Sequence, residues 1–180
     1  APAVTQQPAD DQGLRALEQR AAAEPGNLDL AWQLALRYAE RGRFTDAAKV
    51  IEPLAMQRMD DAGVQQFYGD MLSRSGQLDA AEAAYRQAII AQPTAANYTK
   101  LGSELIVWGR LEAAEEALAQ AVSSDPSLPD PQFYLGQIAE ERGQQDPLAR
   151  ERAELAENVA MIAAGELAVE DLRRHGEVHF

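Results

Sequence analysis

Glycines at a nearly constant spacing are the feature that most constrains how this chain folds. Gly42, Gly76, Gly109 and Gly143 follow one another at intervals of 34, 33 and 34 residues. A period near 34 residues predicts an array of similar supersecondary units rather than one irregular domain. A unit of this length accommodates two short helices and a turn.

The surroundings of each glycine repeat as well. A large apolar residue stands eight positions before every glycine: Leu34, Tyr68, Leu101 and Leu135. A small residue follows it directly: Ala35, Gly69, Gly102 and Gly136. After three of the glycines an apolar residue comes two positions later: Phe44, Leu78 and Leu111. Apolar residues three or four positions apart share one helical face. The pattern predicts two antiparallel helices per unit, packed closely at the small residues and joined by a left-handed glycine.

One helix pair cannot bury its own apolar face, so neighbouring pairs must stack. In these positions the chain resembles the tetratricopeptide repeat (TPR) family. Three units match, at residues 28–60, 61–94 and 95–127, and a fourth at 128–165 keeps the pattern in its first helix. The resemblance implies an all-α, helix-turn-helix superhelix of about three to four repeats with a capping helix at each end.

The ends of the chain depart from the repeat. Residues 1–12 are rich in Pro, Gln, Ala and Asp and are predicted to be a flexible linker, either a tether from a removed anchor or a frayed terminus. The TPR domain is expected over residues 13–175, beginning with an orphan second helix that caps the first unit, and residues 176–180 form a tail. Pro53 falls inside a predicted second helix and is expected to kink it rather than break it.

The charge balance excludes several classes of partner. The chain has 29 acidic residues against 16 Lys and Arg, a formal charge of −13. Binding to phosphate backbones or to anionic membrane surfaces needs a basic face, so nucleic acid is not expected and neither is membrane contact by this domain. A removed N-terminal anchor is compatible with this expectation. The absence of cysteine excludes thiolate metal sites and cysteine nucleophiles.

Catalytic and metal-binding patterns are also missing. The two histidines, His175 and His179, lie in the predicted tail with Gly176 between them. Carboxylates such as Glu112, Glu115 and Glu116 are typical of a solvated helix face. No phosphate-binding, dinucleotide-binding or nucleophile motif occurs. We predict that the chain is not an enzyme and has no cofactor and no metal site.

In TPR arrays the first helix of each pair faces a concave surface along which ligand peptides lie. The resemblance therefore implies a peptide-binding groove, and the register of the glycines assigns ten residues to it: Trp32, Leu36, Gln66, Asp70, Arg74, Thr99, Ser103, Ile106, Phe133 and Gln137. The alternative for Trp32 and Phe133 is ordinary packing between units, or a register shifted by one residue.

TPR co-chaperones that bind acidic C-terminal tails use a basic and asparagine clamp. The clamp positions correspond here to Trp32, Leu36, Phe67, Ala96 and Lys100. Only Lys100 could serve, so docking of cytosolic chaperone tails is not predicted.

The stretch from Asn97 to Gly143 resembles more narrowly the periplasmic TPR domain of bacterial cytochrome c maturation factors. That family holds the C-terminal helix of apocytochrome c ready for haem ligation, and its members carry an N-terminal anchor followed by a Pro/Ala-rich linker. This resemblance implies apocytochrome c as the partner and a periplasmic location, with the cytoplasm as the alternative.

The sequence thus predicts a peptide-binding or scaffolding module. A second hypothesis is a structural assembly protein that self-associates through its C-terminal helix, with Val159, Ile162, Ala163 and Leu167 as the seam. A third is an accessory domain of an enzyme.

Overall fold

The computed structural model describes the backbone of residues 7–145 and the side chains of residues 12–143. These residues form eight α-helices: α1 (Gln7–Ala23), α2 (Leu28–Glu40), α3 (Phe44–Gln57), α4 (Ala62–Arg74), α5 (Leu78–Ala91), α6 (Ala95–Val107), α7 (Leu111–Ser124) and α8 (Pro129–Gln145). Residues 7–145 contain no strand, and the all-α prediction is confirmed. The chain divides into two compact units, residues 1–134 and residues 135–180. The pairs α2–α3, α4–α5 and α6–α7 all belong to the first.

A left-handed glycine closes each of these three pairs. Gly42, Gly76 and Gly109 have φ angles of 71°, 83° and 72°. The residue after each glycine donates its backbone N–H to a carbonyl five residues earlier, as when Arg110 bonds to Leu105 at 2.8 Å. This bond satisfies a carbonyl that the helix end would otherwise leave unpaired. The predicted role of the glycines is confirmed at these three turns.

The small residues lie where the two helices of a pair approach most closely. A Cβ placed on Gly69 would stand 2.9 Å from the Tyr85 ring, and one on Gly102 would stand 2.6 Å from Cγ of Leu118. Tyr85 and Leu118 are almost wholly buried, so neither has space to move away. The predicted close approach is confirmed in these two pairs. At Gly136 no described atom lies within 4 Å of such a Cβ, and the helix predicted to pack there is outside the described residues.

Side-chain caps start the first helix of each pair. Asn27, Asp61 and Thr94 accept hydrogen bonds from backbone N–H groups in the first turns of α2, α4 and α6. Such bonds satisfy donors that have no partner within the helix. The caps follow the connections between pairs, where the chain leaves one repeat and begins the next.

Helix α1 packs on the first pair, as the orphan second helix was predicted to do. The Tyr38 hydroxyl donates to Glu18 of α1 at 2.9 Å, and Arg43 pairs with the same carboxylate at 3.3 Å. The Arg43 guanidinium also lies 4.2 Å from the centre of the Tyr38 ring. Leu14 of α1 is buried. These contacts cover the exposed side of the first repeat.

The start of α1 and the course of α3 bear on two of the predictions. Helix α1 begins at Gln7, so residues 7–12, which were assigned to the linker, are helical. Pro8 is tolerated in a first turn, because the N–H that proline lacks would have no partner within the helix there. Helix α3 continues through Pro53 to Gln57 without a break.

A further difference from the prediction concerns Gly143, which was predicted to end a helix. Helix α8 runs through it to Gln145, and among the described glycines only Gly42, Gly76 and Gly109 have positive φ. The apolar residue found two positions after the other three glycines is replaced by Gln145. The sequence therefore lacks, at this position, the apolar residue with which the second helix of each of the other pairs begins.

Candidate functional site

The first helices of the three pairs meet through their side chains and form one surface. We call this surface the A-helix face. It is built from residues of α2, α4 and α6 and of the turn after α6: Trp32, Leu36, Gln66, Phe67, Asp70, Ser73, Arg74, Thr99, Lys100, Ser103, Glu104, Ile106, Val107 and Trp108. The face corresponds to the surface on which the predicted groove residues were placed.

The contact between α2 and α4, the first seam, is aromatic. The ring centres of Trp32 and Phe67 are 4.8 Å apart, with an angle of 50° between the ring planes. Trp32 is half-buried: it packs between units, as the packing alternative expected, and part of its side chain stays exposed. Leu36, one turn further along α2, is 37% exposed and lines an opening between α1 and α2. The first seam therefore offers an apolar surface.

The contact between α4 and α6, the second seam, is polar. The Gln66 amide donates to the side-chain oxygen of Asn97. Asn97 is buried and donates in turn to the carbonyl oxygens of Ala88 and Gln92, at 3.3 and 2.6 Å. Asn97 thus ties α6 both to the neighbouring α4 and to the end of α5. A buried amide without these partners would cost free energy.

An ionic network extends the second seam. Lys100 donates to Asp70 of α4 at 2.9 Å and to Glu104 of α6 at 2.9 Å. The Ser73 hydroxyl donates to Glu104 at 3.0 Å, and the Tyr85 hydroxyl donates to Asp70 at 2.6 Å. One ammonium group therefore serves two carboxylates, and both carboxylates have a second donor.

The pKa values of two members of the network are raised. Partial burial lowers the pKa of Lys100, but its hydrogen bonds to Asp70 and Glu104 outweigh this effect, so the pKa is raised. Burial, reinforced by the hydrogen bond to Asp70, raises the pKa of Tyr85 well above its ordinary value. Lys100 therefore stays charged and Tyr85 stays neutral at physiological pH.

A pocket of about 460 Å³ opens beside this network. Arg74, Lys100, Glu104, Val107 and Trp108 are among its lining residues. Val107 is 79% exposed. The Arg74 guanidinium lies 5.1 Å from the centre of the Phe44 ring and makes no ion pair with any described residue. The pocket thus pairs an apolar wall with an arginine that has hydrogen-bond donors to spare.

The other predicted residues of α6 are placed differently from one another. Thr99 and Ser103 donate their hydroxyls to carbonyl oxygens of their own helix, at 2.7 and 2.9 Å. Ile106 is half-buried, whereas its neighbour Val107 is exposed. Val107, which the ten predicted residues omit, is the most accessible large apolar side chain of α6.

The last two predicted residues lie on α8. Phe133 is 64% exposed, and its ring centre is 5.7 Å from that of Tyr134. Gln137 is exposed and belongs to the second compact unit. The described contacts connect two of the predicted residues of α4 with residues of α6: Gln66 with Asn97, and Asp70 with Lys100.

Sequence reasoning missed Asn97 and Glu104. Their partners, Gln66 and Ser73, each precede them by 31 residues, and Asp70 precedes Lys100 by 30. Complementary polar residues slightly less than one repeat apart are the signal that would have found them. Residues that face each other across the second seam are therefore 30 or 31 positions apart in the sequence.

Among the described residues, no three His, Cys, Asp or Glu side chains are grouped as a metal site would require. None of the described helices combines the length and the apolar character needed to cross a membrane.

Comparison with protein families identifies the class. Two profiles described as "Tetratricopeptide repeat" match residues 7–91 and 95–128, about two thirds of the chain together. The chain belongs to the tetratricopeptide repeat family. This fold is a scaffold for protein interaction and is not typically enzymatic, so the chain is a protein-interaction module.

Solved structures with the same fold include several of the protein MamA. One matches with a TM-score of 0.64 and 24% identity over 74% of this chain and 79% of its own. A second has a TM-score of 0.64 and 23% identity over 89% and 88%. A third, MamA from Desulfovibrio magneticus RS-1, has a TM-score of 0.62 and 21% identity over 91% and 90%. No curated protein sequence matches the chain.

Proposed function

We propose that the A-helix face holds a segment of a partner polypeptide, and that this segment is the C-terminal helix of apocytochrome c during cytochrome c biogenesis in the periplasm. The observation that carries the proposal is the juxtaposition of exposed apolar side chains with a fixed polar network on one preformed surface. Leu36 and Val107 are exposed large apolar residues on this face. They supply the kind of anchor that dominates binding energy.

The charge of the chain favours a basic ligand. A formal charge of −13 attracts a positively charged segment at long range and raises the rate of encounter. The ordered side chains of the second seam would need little rearrangement on binding, which lowers the entropic cost of association. A helix with one apolar stripe and a basic flank matches both properties, and an apocytochrome c terminal helix is the candidate suggested by the resemblance of residues 97–143.

The test is a titration of the 180-residue chain with synthetic C-terminal helices of apocytochrome c. Both tryptophans of the chain, Trp32 and Trp108, are at the A-helix face, so intrinsic fluorescence reports on this surface. We expect Val107→Asp to weaken binding about tenfold because it places a charge against the apolar stripe of the ligand. Ile106→Ala and Phe133→Ala should also weaken it.

The matched control is Met56→Asp, which adds the same charge at an exposed methionine of α3, a second helix of its pair. It should leave the affinity unchanged. If the apocytochrome peptides do not bind at hundreds of micromolar, the proposed ligand is wrong. If Val107→Asp and Met56→Asp have equal effects, the attraction is a general one of charge and the A-helix face is not the site. A self-assembly role would instead appear as concentration-dependent sedimentation of the chain alone.

A further inference from the structure

A second surface, formed mainly by the second helices of the pairs, carries a larger opening than the A-helix face. A groove of about 610 Å³ lies between α5 and α7, with α6 contributing to its lining. We call it the B-helix groove. Its apolar lining includes Ile89, Ile90, Tyr98, Leu101, Ala113 and Ala117. None of these residues belongs to the A-helix face.

The groove exposes an apolar side chain that the fold does not bury. Ile90 is 73% exposed, and Ile89 and Tyr98 are half-buried. One exposed and two half-buried apolar side chains that line the same groove form an apolar surface larger than a single side chain, which is typical of an interaction site.

Helix α7 presents small apolar side chains to the groove. Ala113 and Ala117 are four residues apart and lie one turn above the other on the same helical face. Small side chains at a helix contact reduce the distance between helix axes. A partner helix could therefore lie along α7 and place its larger side chains against Ile89 and Ile90.

Ion pairs hold the two walls in place. Glu82 of α5 accepts hydrogen bonds from Arg86, at 2.7 and 3.1 Å, and pairs with Arg110 directly before α7. Arg110 also pairs with Asp79. The groove is thus preformed, which lowers the cost of filling it.

The uncompensated charge at the rim of the groove is negative. Arg86 is neutralised by Glu82. Glu116 lines the groove, is exposed, and makes no ion pair or hydrogen bond with a described residue. A basic group on the occupant would therefore be favoured. The same reasoning disfavours a second copy of this chain, because its formal charge is −13.

We propose that the B-helix groove docks an amphipathic helix of a partner protein, with a stripe of leucine-sized residues against Ile89 and Ile90 and a basic flank beside Glu116. Recognition of this kind places an apolar helical stripe in a groove lined by apolar side chains. The site is separate from the A-helix face and stands whether or not that face binds apocytochrome c.

The probe is a synthetic helix of about 18 residues with leucine along one face and lysine elsewhere. It is titrated into the 180-residue chain by calorimetry. A peptide of the same composition in scrambled order, and one with glutamate in place of lysine, are the peptide controls. We expect the leucine–lysine helix to bind with micromolar affinity and both controls to bind at least about tenfold more weakly.

Variants of the chain locate the site. Ile90→Asp should weaken binding about tenfold, although its added negative charge strengthens any general attraction to lysine. Glu116→Lys should weaken binding about fivefold and reduce its dependence on salt. Met56→Asp adds the same charge at an exposed methionine of α3, outside both surfaces, and is the matched control, which should leave binding intact. Val107→Asp detects any binding of the probe to the A-helix face. Because Ile90 and Val107 are both mostly exposed, neither substitution should unfold the chain, and circular dichroism verifies this.

Several outcomes overturn the proposal. The proposal is wrong if the leucine–lysine helix does not bind, or if it binds no better than the scrambled peptide. If Ile90→Asp has no effect while Val107→Asp abolishes binding, the binding site of the peptide is the A-helix face. If the chain alone self-associates and Ile90→Asp makes it monomeric, the occupant of the groove is a second copy of the chain.

Discussion

The two seams between successive helix pairs use the same backbone arrangement with opposite chemistry. Between α2 and α4 the contact is the aromatic pair Trp32–Phe67. Between α4 and α6 it is a hydrogen-bonded and ionic row centred on Asn97 and Lys100. Stacking of repeats therefore requires side chains that complement each other across the seam, but it does not fix whether they are apolar or polar.

The difference has consequences for stability. Apolar packing responds little to ionic strength, whereas the attraction between partly exposed charges is screened by salt and depends on pH. The first seam should accordingly be indifferent to both variables, and the second should be sensitive to both. Four substitutions test this contrast.

Gly102→Leu should have the largest effect. The new Cβ would overlap the buried Leu118 side chain, so α6 would have to move away from α7, and this displacement would disturb the second seam that α6 forms with α4. We expect the free energy of unfolding to fall by about 3 kcal/mol in urea titrations. Gly13→Leu is the control, because no described atom lies within 4 Å of a Cβ at Gly13. Equal stability of Gly102→Leu and wild type would show that the close approach is not required.

Trp32→Ala removes the first seam alone. Trp32 is half-buried against Phe67, so the loss should be about 2 kcal/mol, below that of a fully buried tryptophan. The loss should be the same at low and at high salt, since no charge is involved. A strong dependence of this loss on salt would contradict the apolar description of the first seam.

Tyr85→Phe tests the pH dependence of the second seam. It removes a hydrogen bond to a carboxylate, which should cost about 1.5 kcal/mol at pH 7. Because the pKa of Tyr85 is raised in the folded chain, its contribution is complete below the unfolded pKa near 10 and is lost as the pH rises further. The stability difference between wild type and Tyr85→Phe should therefore shrink above pH 10, by up to about 1.4 kcal/mol per pH unit.

Trp32→Ala, which removes no titrating group, is the control for this measurement. Its difference from wild type should stay constant over the same range. Tyr38 and Tyr68 also have raised pKa values, so wild type and both variants should lose stability at high pH, and only the difference identifies Tyr85. A difference that stays constant through pH 11 would contradict the role of Tyr85.

The repeat itself could be predicted from the sequence because burial is periodic. Glycine turns and small residues recur at fixed positions, and the structure places them as expected at Gly42, Gly69 and Gly102. The unit that lacks an apolar residue after its glycine is the one in which the turn prediction was wrong. Local packing requirements thus determine the pairs.

The chemistry of the seams could not be predicted in the same way. Polar residues on a helix surface have no periodic signal, and Asn97 and Glu104 are identified only by their partners in the preceding repeat. Ile106 and Val107 are adjacent and both apolar, so the pattern alone did not show which one the packing would leave exposed. The face as a whole could therefore be predicted from the sequence, whereas the exposure of its individual side chains could not.

Lys100→Met should have the smallest effect and is the sharpest test of the contrast between the seams. Methionine keeps the apolar part of the side chain but leaves Asp70 and Glu104 without their shared cation. About a third of the Lys100 side chain is exposed, so solvent weakens the ion pairs and the loss should be at most about 1 kcal/mol. Raising the salt concentration from 0.05 M to about 1 M should reduce this loss by half or more, since the Debye length falls to about 3 Å. The loss caused by Trp32→Ala, measured in the same titrations, should not change. If salt affects both variants alike, the two seams do not differ in the way their contacts indicate. If it affects neither, the second seam is held by its hydrogen bonds through Asn97, and the ionic network contributes no stability.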